Sequence, residues 1–253
     1  MIKIVFFTSG KYTHSVAEVL KKAKDFNLLK VYSRLPSLNQ IPKADLFLVA
    51  DFGEILNERI LSLPKYGALC LHPSLLPKYR SASPVPASIL NGDKETGITI
   101  FKMDSRVDHG PIIDQVRAKI LPDDNAGSLY IRLFSLGANR LKKVLPDYVA
   151  GKMIPLAQNH KRATYTQKLA REDGKIDWKK PAVFQERFIR AMSPWPGSWT
   201  QIKLPNGQIR RLKILKANLQ KGKLILDIVQ LEGKKPVSFK QFKEGYPGAK
   251  IIS

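Results

Sequence analysis

Three short, almost uninterrupted apolar runs constrain the fold of this 253-residue chain more than any other feature. They cover residues 2–7, 45–50 and 67–71. Strands that are apolar on both faces belong inside a parallel sheet, where helices cover both sides. Between the first two runs, residues 14–26 repeat apolar side chains such as Val16 and Leu20 at helical spacing. The alternation therefore predicts an α/β fold with a parallel-rich, shortened doubly wound sheet.

The second part of the chain has a different pattern. Residues 97–103 and 111–120 read as strands joined by a hairpin-type connection, and residues 128–149 read as a long amphipathic helix. Beyond them, residues 199–204, 209–217 and 224–231 are short and strand-like. We therefore predict a first domain over residues 1–152, a basic linker over 153–170 and a small β-rich domain over 171–253.

Charge is the strongest signal in the composition. The chain has 43 basic and 21 acidic residues, a net charge of +22. Residues 1–150 contribute 21 basic and 14 acidic residues, a net charge of +7, whereas residues 151–253 contribute 22 and 7, a net charge of +15. Excess positive charge concentrated in one part predicts a surface for a polyanion, and nucleic acid is the commonest such partner.

Cysteine content and hydropathy exclude several classes of protein. The single cysteine, Cys70, rules out an intrachain disulfide and a cysteine-rich zinc site. No apolar run approaches the roughly 18 residues of a membrane span, and the first residues lack a signal-peptide pattern. We expect a cytoplasmic monomer that binds no membrane.

Two side chains stand out as candidates for acid–base chemistry. His72 leaves a predicted strand just before Pro73, at the carboxyl end where open α/β sheets bind ligands. Asp108 lies in the predicted hairpin connection, where the sheet can bring it to the imidazole. A carboxylate beside a histidine fixes its tautomer, and acyl transfer needs such a base. The alternative is a histidine that is merely hydrogen-bonded within a turn.

Two further features each allow two interpretations. The turn at residues 74–77 could expose backbone amides and carbonyls beside two leucines to a flat heteroaromatic ligand, or it could be a proline-stiffened loop that covers the core. Trp195 and Trp199 could stack on nucleic-acid bases. We favour the alternative that both tryptophans form the core of the small β-rich domain.

Six segments, spread over nearly the whole chain, resemble the formyltetrahydrofolate-dependent formyltransferase family. Three lie in each half, and together they are highly specific. They are His72–Arg80, Asn91–Thr99, Met103–Gly110, Glu172–Trp178, Arg190–Trp199 and Glu232–Pro236.

The resemblance implies a fold, a reaction and the residues that perform it. The fold would be a Rossmann-like formyltransferase domain followed by an OB-like β-barrel domain. The reaction would transfer a formyl group from 10-formyltetrahydrofolate to the α-amine of methionyl-initiator tRNA, without a metal. His72 would be the general acid/base and Asp108 its partner. The folate site would contain Ser74, Leu75, Leu76 and Pro77, with Val49, Ala50, Asp51, Phe52 and Gly53 near the pteridine ring. We expect six basic side chains to bind the substrate: Lys78, Arg80, Lys161, Arg162, Arg210 and Arg211.

The chain also departs from the family pattern. Cys70 occupies the position of an asparagine that donates a hydrogen bond to the oxyanion, and Ser81 replaces a glycine. A covalent role for the thiol would need a lowered pKa. Only about a dozen residues separate Tyr32 from Asp45, where the family has a helix–strand unit and a basic loop that contacts tRNA. These departures leave three alternatives open: formylation of an amino sugar nucleotide, hydrolysis of formyltetrahydrofolate, and an inactive tRNA-binding module.

Overall fold

The computed structural model describes residues 1–252, which form two compact units. One unit contains residues 1–85, 94–121 and 128–167, and the other contains residues 86–93, 122–127 and those from 168 onward. The predicted domain boundaries at residues 152 and 170 remain a prediction.

The first part of the chain, up to residue 166, forms eight strands and four α-helices. In chain order they are β1 (Ile2–Phe7), α1 (His14–Lys22), β2 (Phe26–Tyr32), β3 (Leu46–Ala50), α2 (Glu58–Leu61), β4 (Ala68–His72), β5 (Arg80–Ser81), α3 (Pro84–Leu90), β6 (Glu95–Lys102), β7 (Ile112–Lys119), α4 (Ala126–Val149) and β8 (Tyr165–Thr166).

Six of these strands form one mixed sheet in the order β2-β1-β3-β4-β6-β7. The first four are parallel, and β6 and β7 add to them as antiparallel strands. The predicted α/β class, the parallel-rich sheet and the hairpin of its last two strands are confirmed. One detail differs from the prediction. The helix expected over residues 14–26 ends at Lys22, and β2 begins at Phe26, because it pairs with β1 along its whole length.

Both faces of this sheet are covered, as its apolar strands require. Alternate residues of β1 point to opposite sides, so that Phe6 packs in one buried cluster and Phe7 in the other. The first cluster contains Val16 and Leu20 of α1 together with the apolar side of α4. The second contains Ile60 of α2. The sheet core therefore holds the ends of its central strands in place.

The second unit is built around a separate antiparallel sheet. Its elements are α5 (Ala182–Ala191), β9 (Ser198–Lys203), β10 (Ile209–Gln220), β11 (Lys223–Leu231), β12 (Val237–Ser238), α6 (Phe239–Gly245) and β13 (Lys250–Ile252). The strand order is β12-β11-β10-β9-β13, and its buried core includes Leu212, Ile214 and Val229. The β-rich character of this part is confirmed, whereas α6 was not predicted.

The two tryptophans of this unit have different surroundings. Trp199 is 8% exposed, and its indole Nε1 donates to the carbonyl oxygen of Arg171 at 3.0 Å. Trp195 is 48% exposed. The interpretation as core residues is therefore confirmed for Trp199 and wrong for Trp195, which follows the end of α5 in a proline-rich turn. Among residues 1–252, the structure contains no helix with the length and apolar character needed to cross a membrane.

Candidate active site

The structure brings the two predicted acid–base residues together. His72 is the last residue of β4 and is 5% exposed, and Asp108 lies in the connection between β6 and β7. Imidazole Nδ1 lies 3.5 Å from the carboxylate Oδ2. Because β4 runs parallel to β1 and β3, this pair lies at the carboxyl edge of the parallel strands, where ligands bind in open α/β sheets.

A hydrogen bond fixes the tautomer of His72. Its Nε2 lies 2.8 Å from the carbonyl oxygen of Tyr79. A carbonyl oxygen can only accept, so Nε2 carries the hydrogen and donates it. In the neutral ring, Nδ1 then has the lone pair and faces Asp108. This arrangement can accept a proton at Nδ1 and stabilise the resulting imidazolium with the adjacent carboxylate.

Hydrogen bonds to its carboxylate and to its backbone hold Asp108 in an uncommon backbone conformation. Its backbone φ is +49°, a region that side-chain-bearing residues seldom occupy. The amide N–H of Ser81 donates to its carboxylate Oδ2 at 2.6 Å. The side-chain amide of Gln158 donates to the carbonyl oxygens of Asp108 (2.9 Å) and Gly110 (2.7 Å). Gln158 has no signal in the sequence, because no local pattern links it to Asp108, 50 positions earlier.

Cys70 lies two residues before His72, so both side chains project from the same face of β4. Burial raises the pKa of the Cys70 thiol well above its usual range, and the negative charge of Asp108 raises it further. The sulfur is therefore a thiol at neutral pH rather than a thiolate. It lacks the lowered pKa that a covalent role requires, and it keeps a weak S–H donor.

The turn after His72 makes most of its polar contacts with the protein itself. The amide of Leu76 donates to Thr99 Oγ1 at 3.2 Å, and that hydroxyl donates to the Ser74 carbonyl oxygen at 2.6 Å. Gln115 donates to the Leu76 carbonyl oxygen at 3.1 Å. Of the two interpretations of this turn, these contacts support the proline-stiffened loop that covers the core, because Thr99 and Gln115 occupy its backbone groups. Ser74 and Leu76 are buried, whereas Leu75 and Pro77 are partly exposed. Folate binding by these four residues remains a prediction.

The second predicted folate segment begins beside His72. Ala50 pairs with Leu71 across β3 and β4, so the loop that follows Ala50 starts next to the end of β4. Val49 and Ala50 are buried in the sheet, and Gly53 is exposed. The strand order reverses between β1 and β3, which makes this edge the topological switch point of the sheet.

Two side chains shape the loop at that switch point. Ser9 Oγ donates to the carboxylate of Asp51 at 2.6 Å, which joins the loops that follow β1 and β3. Burial raises the pKa of the Asp51 carboxyl. The ring of Phe52 packs edge-on against Phe7, with 5.6 Å between centroids. The loop therefore combines an apolar wall with a carboxylate.

Of the six basic side chains predicted to bind the substrate, one is buried and the other five are exposed or partly exposed. Arg80 is 1% exposed, and its guanidinium donates to Gln158 Oε1, Tyr165 Oη and His160 Nδ1. This burial corrects the expectation that Arg80 contacts the substrate directly. In the first unit, Lys78, Lys161 and Arg162 are exposed.

The remaining two basic ligands lie in the second unit, on β10. Arg210 and Arg211 are both partly exposed. The guanidinium of Arg211 lies 3.8 Å from the ring centroid of Trp199, so it stacks on that indole.

Two histidines extend the polar network around Arg80. The rings of His109 and His160 are stacked, with 4.0 Å between centroids and 2° between planes. His109 Nδ1 donates to Asp104 Oδ2 at 2.6 Å. Desolvation lowers the pKa of His160, and the nearby His109 and Arg80 lower it further. A neutral His160 is the form that can accept the hydrogen bond of Arg80.

Comparison with known proteins relates this arrangement to one family. The formyl transferase family profile matches residues 20–145, and the profile of the formyl transferase C-terminal domain matches residues 168–224. The methionyl-tRNA formyltransferase of Roseiflexus castenholzii is 39% identical over 222 residues, which is 80% of this chain and 71% of that protein. The one of Dictyoglomus turgidum is 39% identical over 90% of this chain and 77% of its own length. The one of Chloroflexus aurantiacus is 48% identical over 60% of this chain, and the match spans about half of that relative (49%).

Solved structures show the same fold at low sequence identity. A methionyl-tRNA formyltransferase from Clostridium thermocellum superimposes with a TM-score of 0.72 at 19% identity, covering 91% of this chain and 99% of that one. HypX from Aquifex aeolicus in complex with tetrahydrofolic acid gives a TM-score of 0.73 at 13% identity, over 96% of this chain and 47% of HypX. The predicted family and fold class are confirmed. By its identity to the Roseiflexus and Dictyoglomus proteins, and its coverage of them, this chain belongs to the methionyl-tRNA formyltransferase family.

Proposed function

We propose that this formyltransferase moves the formyl group of 10-formyltetrahydrofolate to the α-amine of methionyl-initiator tRNA. His72 acts as the general acid/base, and Asp108 orients and stabilises it. The observation that carries the proposal is the 3.5 Å approach of Asp108 Oδ2 to His72 Nδ1 at the carboxyl edge of the sheet. The names of the relatives support the choice of acceptor.

The tautomer of His72 assigns the proton transfers. The amine nitrogen attacks the formyl carbon, and the carbonyl electrons move to oxygen to form a tetrahedral oxyanion. Nδ1 accepts the proton that the attacking amine loses, because Nε2 already donates to Tyr79. When the oxyanion collapses, the bond from carbon to the folate nitrogen breaks and the imidazolium returns its proton to that nitrogen. The products are the formamide and tetrahydrofolate.

The oxyanion needs a hydrogen-bond donor in addition to this pair. Cys70 supplies its thiol on the same face of β4, and its raised pKa keeps the S–H proton in place. A thiol is a weak donor. Loss of one strong oxyanion donor costs on the order of 10²–10³ in rate. We therefore expect catalysis with a turnover limited at this step.

The donor binds at the switch point between β1 and β3. Phe52 supplies apolar surface there, and the Asp51 carboxyl supplies a polar group for the edge of the pteridine ring. Leu75 and Pro77, which follow the end of β4, supply further apolar surface beside it, and Leu75 lies against Gly97 of β6. The location beside His72 supports this placement, since the loop at Asp51 begins next to the end of β4. The acceptor is an RNA, and the net charge of +15 over residues 151–253 supports its binding.

One assay tests the reaction. Purified protein is incubated with 10-formyltetrahydrofolate labelled in the formyl group, together with methionyl-initiator tRNA, uncharged tRNA, an amino sugar nucleotide or buffer alone. We expect label on the charged tRNA only. Label released as formate in buffer would instead indicate a hydrolase, and label on the sugar would indicate a sugar formyltransferase. Absence of both transfer and release, with tRNA bound, would indicate an inactive binding module.

A further inference from the structure

We infer that Gln158, held by the buried Arg80, is a positioning residue that sets the Asp108 carboxylate against His72. This inference rests on the proposed function, because it assigns a role to Gln158 through Asp108. Gln158 itself contacts neither imidazole nor carboxylate.

Both polar groups of the Gln158 side chain, the oxygen and the NH₂ group, have hydrogen-bond partners. The side chain is 5% exposed. Its Oε1 accepts from Arg80 Nη2 at 2.7 Å and from Arg80 Nε at 3.3 Å. An arginine can only donate, so Oε1 must face it and the NH₂ group must face the other way. There the NH₂ group donates to the carbonyl oxygens of Asp108 and Gly110.

These two carbonyls bracket the segment that carries the catalytic carboxylate. Asp108 has a left-handed backbone, and such a conformation persists only where its surroundings hold it. Gly110 lies close against the end of β6, where an added Cβ would collide with the Lys102 carbonyl oxygen. The amide of Gln158 therefore fixes the two ends of a three-residue segment, and the carboxylate of Asp108 moves with that segment.

The two residues of β5 both position Asp108, one through its carboxylate and the other through its backbone. The amide of Ser81 binds the carboxylate directly, and the preceding residue, Arg80, acts on the backbone through Gln158. Displacement of a catalytic group by about 1 Å costs on the order of 10²-fold in rate. The role of the buried Arg80 guanidinium is therefore to position the catalytic pair rather than to contact the substrate.

The first test is Gln158→Met, which retains side-chain length and removes the amide. We expect kcat for formyl transfer to fall on the order of 10²-fold, while KM for the folate and for the tRNA changes by less than about twofold. Gln185→Met is the matched control. Gln185 is a buried glutamine of the second unit whose NH₂ group donates to the carbonyl oxygens of Asp177, Trp178 and Lys180. Its variant should keep kcat within about twofold.

A second variant covers the outcome in which Gln158→Met does not fold. Gln158→Glu keeps an oxygen for Arg80 and adds an ion pair, but it replaces both N–H donors with an acceptor that faces two carbonyls. We expect a folded protein by circular dichroism, with kcat reduced to a similar degree. A folded Gln158→Glu protein with wild-type kcat would overturn the inference.

A double-mutant cycle separates positioning from a general structural role. If Gln158 acts through Asp108, then adding Gln158→Met to Asp108→Asn lowers kcat by less than about twofold further. Independent, multiplicative losses would overturn the inference. Wild-type protein that transfers no label would refute the proposed function itself, whereas an active wild type with an equally active Gln158→Met refutes only the role of Gln158.

Discussion

At the scale of single residues, the hydrogen bond from His72 Nε2 to the Tyr79 carbonyl gives the two ring nitrogens different roles. Nε2 fixes the orientation of the ring, and Nδ1 accepts and returns the proton. The sequence predicted that His72 and Asp108 meet, because each lies in a turn beside an apolar strand. It could not predict which nitrogen is free, since that depends on the backbone path of Tyr79.

The first prediction concerns the catalytic pair. His72→Ala and Asp108→Ala each remove one half of the proton-transfer device, and general acid–base catalysis contributes about 10²–10⁴-fold. We expect each variant to lower kcat for label transfer by at least about 10²-fold. Circular dichroism should show both proteins folded. Wild-type turnover in either folded variant would remove the pair from the mechanism.

The oxyanion donor makes the second prediction. Cys70→Asn replaces a weak S–H donor with a strong N–H donor two residues before His72, and one such donor is worth about 10²–10³-fold in kcat. We expect turnover to rise in the label-transfer assay. Cys70→Ala, which has no donor, is the control and should fall below wild type. A drop in kcat of folded Cys70→Asn would show that the thiol has another role.

At the scale of elements, the β6–β7 connection makes the third prediction. Gly110→Ala would place a methyl group against the Lys102 carbonyl oxygen, so the backbone must shift. Overpacking of this kind costs about 1–3 kcal/mol, and here the shift also displaces Asp108. We expect a lower free energy of unfolding in urea together with a lower kcat.

The control for that variant is Gly245→Ala at the end of α6, where an added Cβ meets no atom within 4 Å. Its free energy of unfolding should change by no more than about 0.5 kcal/mol. If Gly110→Ala has the same free energy of unfolding as this control and keeps full activity, the β6–β7 connection tolerates a shift and does not fix Asp108.

The elements that the sequence predicted are those with a strong apolar pattern. Strands β1, β3 and β4 are almost continuously apolar, and α4 repeats leucines that are buried in the structure. The missed elements are short. Strands β5 and β8 have two residues each and exist only because they pair with each other across 85 positions. Arg80 was misplaced for the same reason, since its burial depends on Gln158 and the segment that leads to β8.

At the scale of the whole molecule, the distribution of charge makes the fourth prediction. We expect the affinity for tRNA to fall steeply as salt rises, because basic side chains displace counterions from phosphates. Arg211→Ala, on β10, should weaken binding and reduce the slope of log affinity against log salt by about 1. Titrations at several salt concentrations measure both.

The control for that variant is Lys22→Ala. Lys22 is paired with Glu18 on α1, so its removal should leave the slope unchanged. Equal slopes for wild type and Arg211→Ala would mean that Arg211 contacts no phosphate.

The wrapping of residues 158–166 over β5 has a consequence for synthesis on the ribosome. The amide that clamps Asp108, and the strand that pairs with Arg80, are translated some 50 to 85 residues after their partners. A nascent chain that ends near residue 152 already contains the whole six-stranded sheet and both members of the acid–base pair. Such a chain lacks the Gln158 amide that, by our inference, positions Asp108, so we expect full activity only when residues 158–166 have been added.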